Sequence, residues 1–201
     1  MKAKIPIALI TTRIIIGFVL IFLSFKKVEH YPVIAIIILT IGLLTDIFDG
    51  IIARKLNISS QLLRRLDSTA DQIFFISVAI ATYLQCTAFF KSNVIMLLVI
   101  FVVEGLTYLV SFIKFRKEIA THSIGAKIWT LFIFATLIQV MLECESVILF
   151  YFFFWTGIIT RLEIIAILLT LKTWTNDVPS IYHAVKLRQG KEIKRHKMFN
   201  G

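Results

Sequence analysis

Four aspartates in one short stretch of the chain are the residues best suited to chemistry. They form two pairs, since Asp46 and Asp49 are three positions apart and Asp67 and Asp71 are four apart. At either spacing the two side chains of a pair lie on one face of a helix. So many like charges beside apolar segments need a cation to offset them. Carboxylate oxygens favour Mg²⁺ or Mn²⁺, which points to chemistry on a phosphate.

The elements that must position these aspartates are strongly apolar. Hydrophobic residues make up 58% of the 201 positions, and this length has room for about six spans of about 20 residues each. Six apolar stretches are visible, at about 5–25, 32–52, 70–89, 92–113, 125–142 and 146–171. The sequence therefore predicts an all-α integral membrane bundle of six transmembrane helices.

The distribution of basic residues predicts the orientation of this bundle. The formal net charge is +10. If both termini are cytoplasmic, the predicted external loops carry only Lys26, Lys27 and Lys91, as the positive-inside rule requires. The aspartates then lie at the cytoplasmic surface. Orientation and anionic lipid headgroups explain the basic charge, so we expect no nucleic-acid partner.

The chain has no linker or soluble segment that would divide it, so we expect a single membrane domain over 1–201. Its end, 175–201, is a basic cytoplasmic tail that mixes apolar and basic residues. Such a segment either lies on an anionic membrane surface as an interfacial helix or remains solvated.

The two aspartate pairs are expected on neighbouring antiparallel helices. The second apolar segment continues helically past Asp46 to Lys55, and the polar residues 56–60 interrupt it. Asp67 and Asp71 then share one stripe of the following helix. A tight turn between these helices brings the two pairs face to face, as a site for two metal ions requires.

The aspartates belong to a longer pattern, which comprises Asp46, Asp49, Gly50, Ala53, Arg54, Asp67 and Asp71. This pattern resembles the signature of the CDP-alcohol phosphotransferase family, D-x2-D-G-x2-A-R-x8-G-x3-D-x3-D. Every defined position matches except the second glycine, where this chain has Leu63. A leucine fills space that a glycine leaves beside a ligand. The departure therefore concerns the cytidine pocket, or marks an inactive relative, and leaves the metal site intact.

The resemblance implies transfer of a phosphatidyl group from CDP-diacylglycerol, or a related CDP-alcohol, to an alcohol, with release of CMP. It also implies two magnesium or manganese ions, a role in phospholipid biosynthesis, a homodimer and a location in a bacterial inner membrane. By motif position, the metal ligands are Asp46, Asp49, Asp67 and Asp71, and Asp71 is also the catalytic base.

The same resemblance assigns the substrate contacts. Gly50, Ala53 and Arg54 would contact the CDP part of the donor. The run 44–50 is similar to the phosphatidylglycerophosphate synthase branch and favours glycerol 3-phosphate as acceptor, whereas 66–69 is more similar to the inositol-phosphate branch. Serine and other alcohols remain open. A phosphorylated acceptor needs cations, and the candidates are Arg116, Lys127 and Arg161.

Charges within the other apolar segments have two interpretations. Arg13, Glu104 and Arg161 are costly there unless each faces a cavity or a partner. Glu104 can pair with either arginine across the bundle, as a structural ion pair, or Arg161 can belong to the anion pocket. Carboxylates inside a membrane also suit a divalent-cation transporter, the alternative from another functional class.

The two cysteines, Cys86 and Cys144, both fall near predicted external ends of spans. A disulfide between them is possible, but apolar neighbours favour inert packing residues, and their spacing matches no metal site.

Overall fold

The computed structural model of the chain describes residues 4–26, 28–55, 61–119 and 123–193. The described residues form eight α-helices and no strand. The helices are α1 (Lys4–Phe25), α2 (Tyr31–Lys55), α3 (Gln61–Gln85), α4 (Thr87–Ser92), α5 (Val94–Phe115), α6 (Ile124–Glu143), α7 (Ile148–Thr170) and α8 (Ile181–Arg188). The predicted all-α class is confirmed.

Five helices are long and apolar enough to cross a membrane within the described part of the chain. These spans are Pro6–Phe25, Tyr31–Ile52, Val94–Phe115, Ile124–Glu143 and Ile148–Thr170. The helix α3 is 25 residues long, but it is not among the five, and its first half holds the charged residues of the aspartate motif. The sixth span therefore stays a prediction.

The contacts of the chain define two compact units. The first unit comprises residues up to 90 together with 137–145, and the second comprises 91–136 and everything from 146 onward.

In the first unit, α1 packs along both α2 and α3, and small residues permit the close approach. A Cβ added at Gly17 of α1 would lie 3.2 Å from the Ser77 side chain of α3. A Cβ at Gly42 of α2 would overlap the ring of Phe74 of α3, so Gly42 permits the contact between α2 and α3. Because α1 contacts both helices that carry aspartates, a side chain on α1 can reach both pairs.

In the second unit, α5 packs against α7, and Trp129 of α6 is fixed against α7. Its indole Nε1 donates a hydrogen bond to the carbonyl oxygen of Phe153 at 3.0 Å. Its ring stacks on the Phe153 ring. Gly157 leaves the space for this, since a Cβ there would lie 2.6 Å from Trp129 Nε1. Trp129 is thus a packing residue between α6 and α7.

The beginning of the expected tail packs tightly. Val178 and Ala184 are fully buried against Ile167 and Leu171 at the end of α7. Leu187 packs against the same cluster. The segment that contains α8 is therefore anchored to the end of a membrane span, and residues from 194 onward lie outside the described part.

A disulfide joins Cys86, just after α3, to Cys144, just after α6, with 5.1 Å between their Cα atoms. The sequence favoured unpaired packing residues, and this interpretation was wrong. Apolar neighbours indicated burial correctly for Cys86, but they carry no information on the distance between residues 58 positions apart. Only the packing of the two helix ends brings the sulfur atoms together.

Removal of this disulfide, by Cys86→Ser with Cys144→Ser, is expected to lower the free energy of unfolding by about 2–4 kcal/mol, because the bond closes a long loop in the unfolded chain. Thermal unfolding in detergent measures the effect, and reductant should lower the melting temperature of the wild type to that of the variant. Two titratable thiols in the unreduced, folded protein would contradict the pairing.

Candidate active site

The two aspartate pairs lie on α2 and α3, as the motif spacing predicts. Asp46 and Asp49 are one turn apart on α2, and Asp67 and Asp71 are one turn apart on α3. Asp49 is buried, with 3% of its side chain exposed, whereas about a third of each of the other three side chains is exposed. Three of the carboxylates are therefore partly accessible, whereas that of Asp49 is enclosed.

Arg13 of α1 holds all four carboxylates together. Its Nη1 lies 3.3 Å from Asp46 Oδ1 and 3.1 Å from Asp67 Oδ1, and it also contacts Asp71. Its Nη2 contacts Asp49. The arginine itself is fully buried, so one planar guanidinium bridges three helices.

Electrostatics explains this arrangement. Four carboxylates a few ångströms apart repel one another, and their repulsion is strong where water is excluded. The guanidinium presents donors in a rigid fork, which suits several carboxylate oxygens at once. Arg13 contributes one positive charge to four negative ones, and this imbalance favours further cations at the site.

The carboxylates fit a divalent metal ion. One ligand oxygen from each of Asp46, Asp49 and Asp67 lies within 4.8 Å of the other two. Asp71 joins them through the shared contact with Arg13. The donor set consists of hard oxygen atoms, which Mg²⁺ and Mn²⁺ prefer. The four residues predicted as ligands are therefore brought together.

Arg13 is the site residue that sequence reasoning missed. The sequence indicates an intramembrane charge for which Glu104 is one candidate partner. In the structure Glu104 instead contacts Arg161. A signal was present, because a buried arginine needs counterions and the four aspartates need a cation. The sequence separation of Arg13 from the motif concealed the match.

The other motif residues surround this site. Gly50 directly follows Asp49 and is half-buried, and Leu63, at the family's second glycine, is half-buried one turn before Asp67. Ala53 and Arg54 belong to the last turns of α2, but their side chains lie outside the described part. Their predicted contact with the CDP group therefore stays a prediction.

The three predicted acceptor-binding cations all lie in the second unit. Arg116 follows the end of α5, where its guanidinium lies 5.8 Å from the centre of the Phe112 ring. Lys127 lies in the first turn of α6. Arg161 of α7 contacts Glu104 and lies 4.7 Å from the centre of the Trp129 ring. Arg161 thus takes part in the structural ion pair, one of the two interpretations that the sequence left open.

Comparison with known proteins adds one match. The sequence model of the CDP-alcohol phosphatidyltransferase family matches residues 3–175, which include Arg13 and all four aspartates of the site. No curated protein and no solved structure is significantly similar to the chain.

Proposed function

The chain belongs to the CDP-alcohol phosphatidyltransferase family, and from this membership we propose that it transfers a phosphatidyl group from CDP-diacylglycerol to an alcohol. In this reaction the acceptor hydroxyl attacks the phosphorus that carries the diacylglycerol. The bond from that phosphorus to the CMP oxygen breaks, and CMP leaves. The observation that carries the proposal is the convergence of four motif aspartates on one site within the matched residues.

The aspartates supply the ligands for the metals on which the family typically depends. We assign Asp46, Asp49, Asp67 and Asp71 to two ions, magnesium or manganese, and Asp71 also accepts the hydroxyl proton. When bound, such ions neutralise the diphosphate and stabilise charge on the leaving oxygen. The choice of Asp71 rests on its motif position. Its carboxylate is accessible to a hydroxyl, since about a third of it is exposed, whereas that of Asp49 is enclosed.

The substrate contacts follow the motif. Gly50, Ala53 and Arg54 are proposed to hold the CDP part of the donor, with Arg54 on a phosphate oxygen. Glycerol 3-phosphate is the favoured acceptor, as in the phosphatidylglycerophosphate synthase branch, and inositol phosphate, serine and other alcohols are the alternatives. Arg116 and Lys127 are proposed for the acceptor phosphate, and Arg161 would join them only by sharing its guanidinium with Glu104.

The orientation proposed is six spans with both termini and the aspartate site on the cytoplasmic side of a bacterial inner membrane. The disulfide supports it. Asp71 and Cys86 are 15 positions apart along α3 and the residue that follows it, or about 22 Å at the helical rise. Disulfides persist in oxidising compartments, which supports an external position for Cys86 and a cytoplasmic one for the aspartates. A single domain, a cytoplasmic tail and a homodimer complete the proposal.

The transporter interpretation has less support. Arg13 occupies the centre of the carboxylate cluster and contacts all four side chains. A fixed positive charge within an ion path raises the barrier to cations, whereas the same charge suits a site for an anionic diphosphate.

The test is CMP release by detergent-purified protein with CDP-diacylglycerol and Mg²⁺ or Mn²⁺. Glycerol 3-phosphate, inositol 1-phosphate, inositol and serine form the acceptor panel, and mass spectrometry identifies the lipid product. Metal-dependent release with one acceptor, abolished by a chelator, supports the proposal and names the acceptor. Folded protein that binds Mn²⁺ but is silent across the panel would overturn it, and would direct attention to Leu63 as the mark of an inactive relative.

A further inference from the structure

The helix α8 presents an amphipathic surface of its own. Ala184 and Leu187 face inward onto the end of α7. On the outward side, Tyr182 is 61% exposed, Val185 is 40% exposed and Ile181 is 37% exposed. Because its inner face is held by the buried cluster, this short helix keeps three apolar side chains outside the protein core at the end of a membrane span.

Basic residues are frequent in α8, just after it, and at the adjoining ends of α5 and α7. The basic rim consists of Lys114, Lys117, Lys172, Lys186, Arg188 and Lys191. Acidic residues in the same region are Glu118 and Glu192, which are exposed, and Asp177, which is buried. Positive charge therefore exceeds negative charge around α8, and an anionic partner is favoured.

Aromatic and basic side chains are interleaved here in a way typical of a membrane interface. The Lys186 ammonium lies 4.5 Å from the centre of the Tyr182 ring, and the Lys117 ammonium lies 4.7 Å from the centre of the Trp174 ring. Trp174 donates its Nε1 hydrogen to the carbonyl oxygen of Glu118. Tryptophan and tyrosine concentrate at the headgroup level of membranes, and lysine extends from there to the phosphates.

A lysine of α5 also binds the end of α7, the span next to α8. Lys114 donates from Nζ to the carbonyl oxygens of Leu168 and Leu169, at 3.0 and 2.7 Å, in the last turn of α7. An ammonium that binds the open carbonyls of a helix end marks the level at which the apolar span meets polar surroundings. Leu171, just beyond, packs in the same cluster as Ala184 of α8. The helix α8 therefore lies beside the end of a candidate membrane span, within reach of lipid headgroups.

We propose that α8 and the basic rim form a docking surface for the anionic leaflet of the bilayer, with Ile181, Tyr182 and Val185 inserted among the headgroups. The lysines and Arg188 bind the lipid phosphates. The surface is independent of the acceptor that the enzyme uses. This surface makes the depth of α8 in the membrane depend on the fraction of anionic lipid.

The experiment uses the full-length protein in nanodiscs of neutral lipid or of neutral lipid with 30% phosphatidylglycerol. Since the described cysteines are both in the disulfide, Val185→Cys provides one free thiol for a spin label. Collision of the label with oxygen and with a water-soluble nickel complex measures its depth. Native mass spectrometry counts the retained phosphatidylglycerol.

Anionic lipid should move the label from water into the headgroup region. The change Lys186→Gln with Arg188→Gln and Lys191→Gln should reverse this and weaken retention of anionic lipid by about 100-fold, because each basic side chain adds about fivefold at an anionic surface. The control is Lys26→Gln with Lys91→Gln, which removes exposed cations outside the basic rim and should leave the depth of the label unchanged.

Three results would overturn the proposal. In the first, the label remains in water at both lipid compositions, and in the second, the triple variant behaves like the wild type. Equally, a depth that follows the protein-to-lipid ratio instead of the anionic fraction would assign the α8 face to a second copy of the chain.

Discussion

The variant Asp71→Asn is expected to lose about 10³-fold of its rate of CMP release while remaining folded. The amide keeps the shape of the side chain but cannot accept the hydroxyl proton, and it is a weaker metal ligand. Arg13 retains Asp46, Asp49 and Asp67 as partners, so the cluster stays assembled. Release of CMP under saturating metal, together with the melting temperature, separates the chemical loss from unfolding.

The matched control for this variant is Asp177→Asn, at the aspartate outside the motif. Asp177 has a backbone φ of 54°, a left-handed conformation that asparagine accepts. We expect full transfer activity from this control. Normal turnover by Asp71→Asn would remove Asp71 from the mechanism, and equal losses in both variants would show that the effect does not come from the site.

The placement of the four aspartates follows from the sequence because the information that fixes it is local. Spacings of three and four put Asp46 with Asp49 and Asp67 with Asp71 on common helix faces, and a short connection puts the two helices side by side. Helical periodicity and membrane hydropathy therefore suffice to place these carboxylates. The same reasoning located the apolar segments, since an apolar run of membrane length has few alternatives to a helix.

Arg13, the partner of these carboxylates, could not be predicted in the same way. Arg13 precedes Asp46 by 33 positions, and its place depends on how α1 packs against two helices at once. That packing depends on Gly17 of α1, whose role becomes visible only when the Ser77 and Phe74 side chains of α3 are placed beside it. The disulfide could not be predicted for the same reason, because no periodicity relates Cys86 to Cys144. Contacts between distant segments require the three-dimensional packing.

The variant Arg13→Met is expected to have the largest effect on stability, about 3–5 kcal/mol in the free energy of unfolding. Removal of one partner from a buried ion-pair network leaves the remaining charges uncompensated. Here the loss falls on four carboxylates of two helices, of which Asp49 is almost fully buried. Thermal unfolding in detergent without divalent ions measures the loss.

Divalent cations should distinguish an electrostatic role of Arg13 from simple packing. If the arginine offsets the carboxylate charge, Mn²⁺ should raise the melting temperature of Arg13→Met more than that of the wild type, because the ion replaces the lost charge and binds the folded state. Arg13→Lys should be intermediate, since an ammonium keeps the charge but lacks the fork that reaches four carboxylates.

A double-mutant cycle completes the test. Asp49→Asn removes the most buried of the four charges, so Arg13→Met should cost less stability in that background than in the wild type. Additive losses, together with equal Mn²⁺ stabilisation of all variants, would show that Arg13 contributes by filling space. A coupled loss would establish that one guanidinium joins α1 to both aspartate helices, and that the site and the fold of the first unit depend on the same interaction.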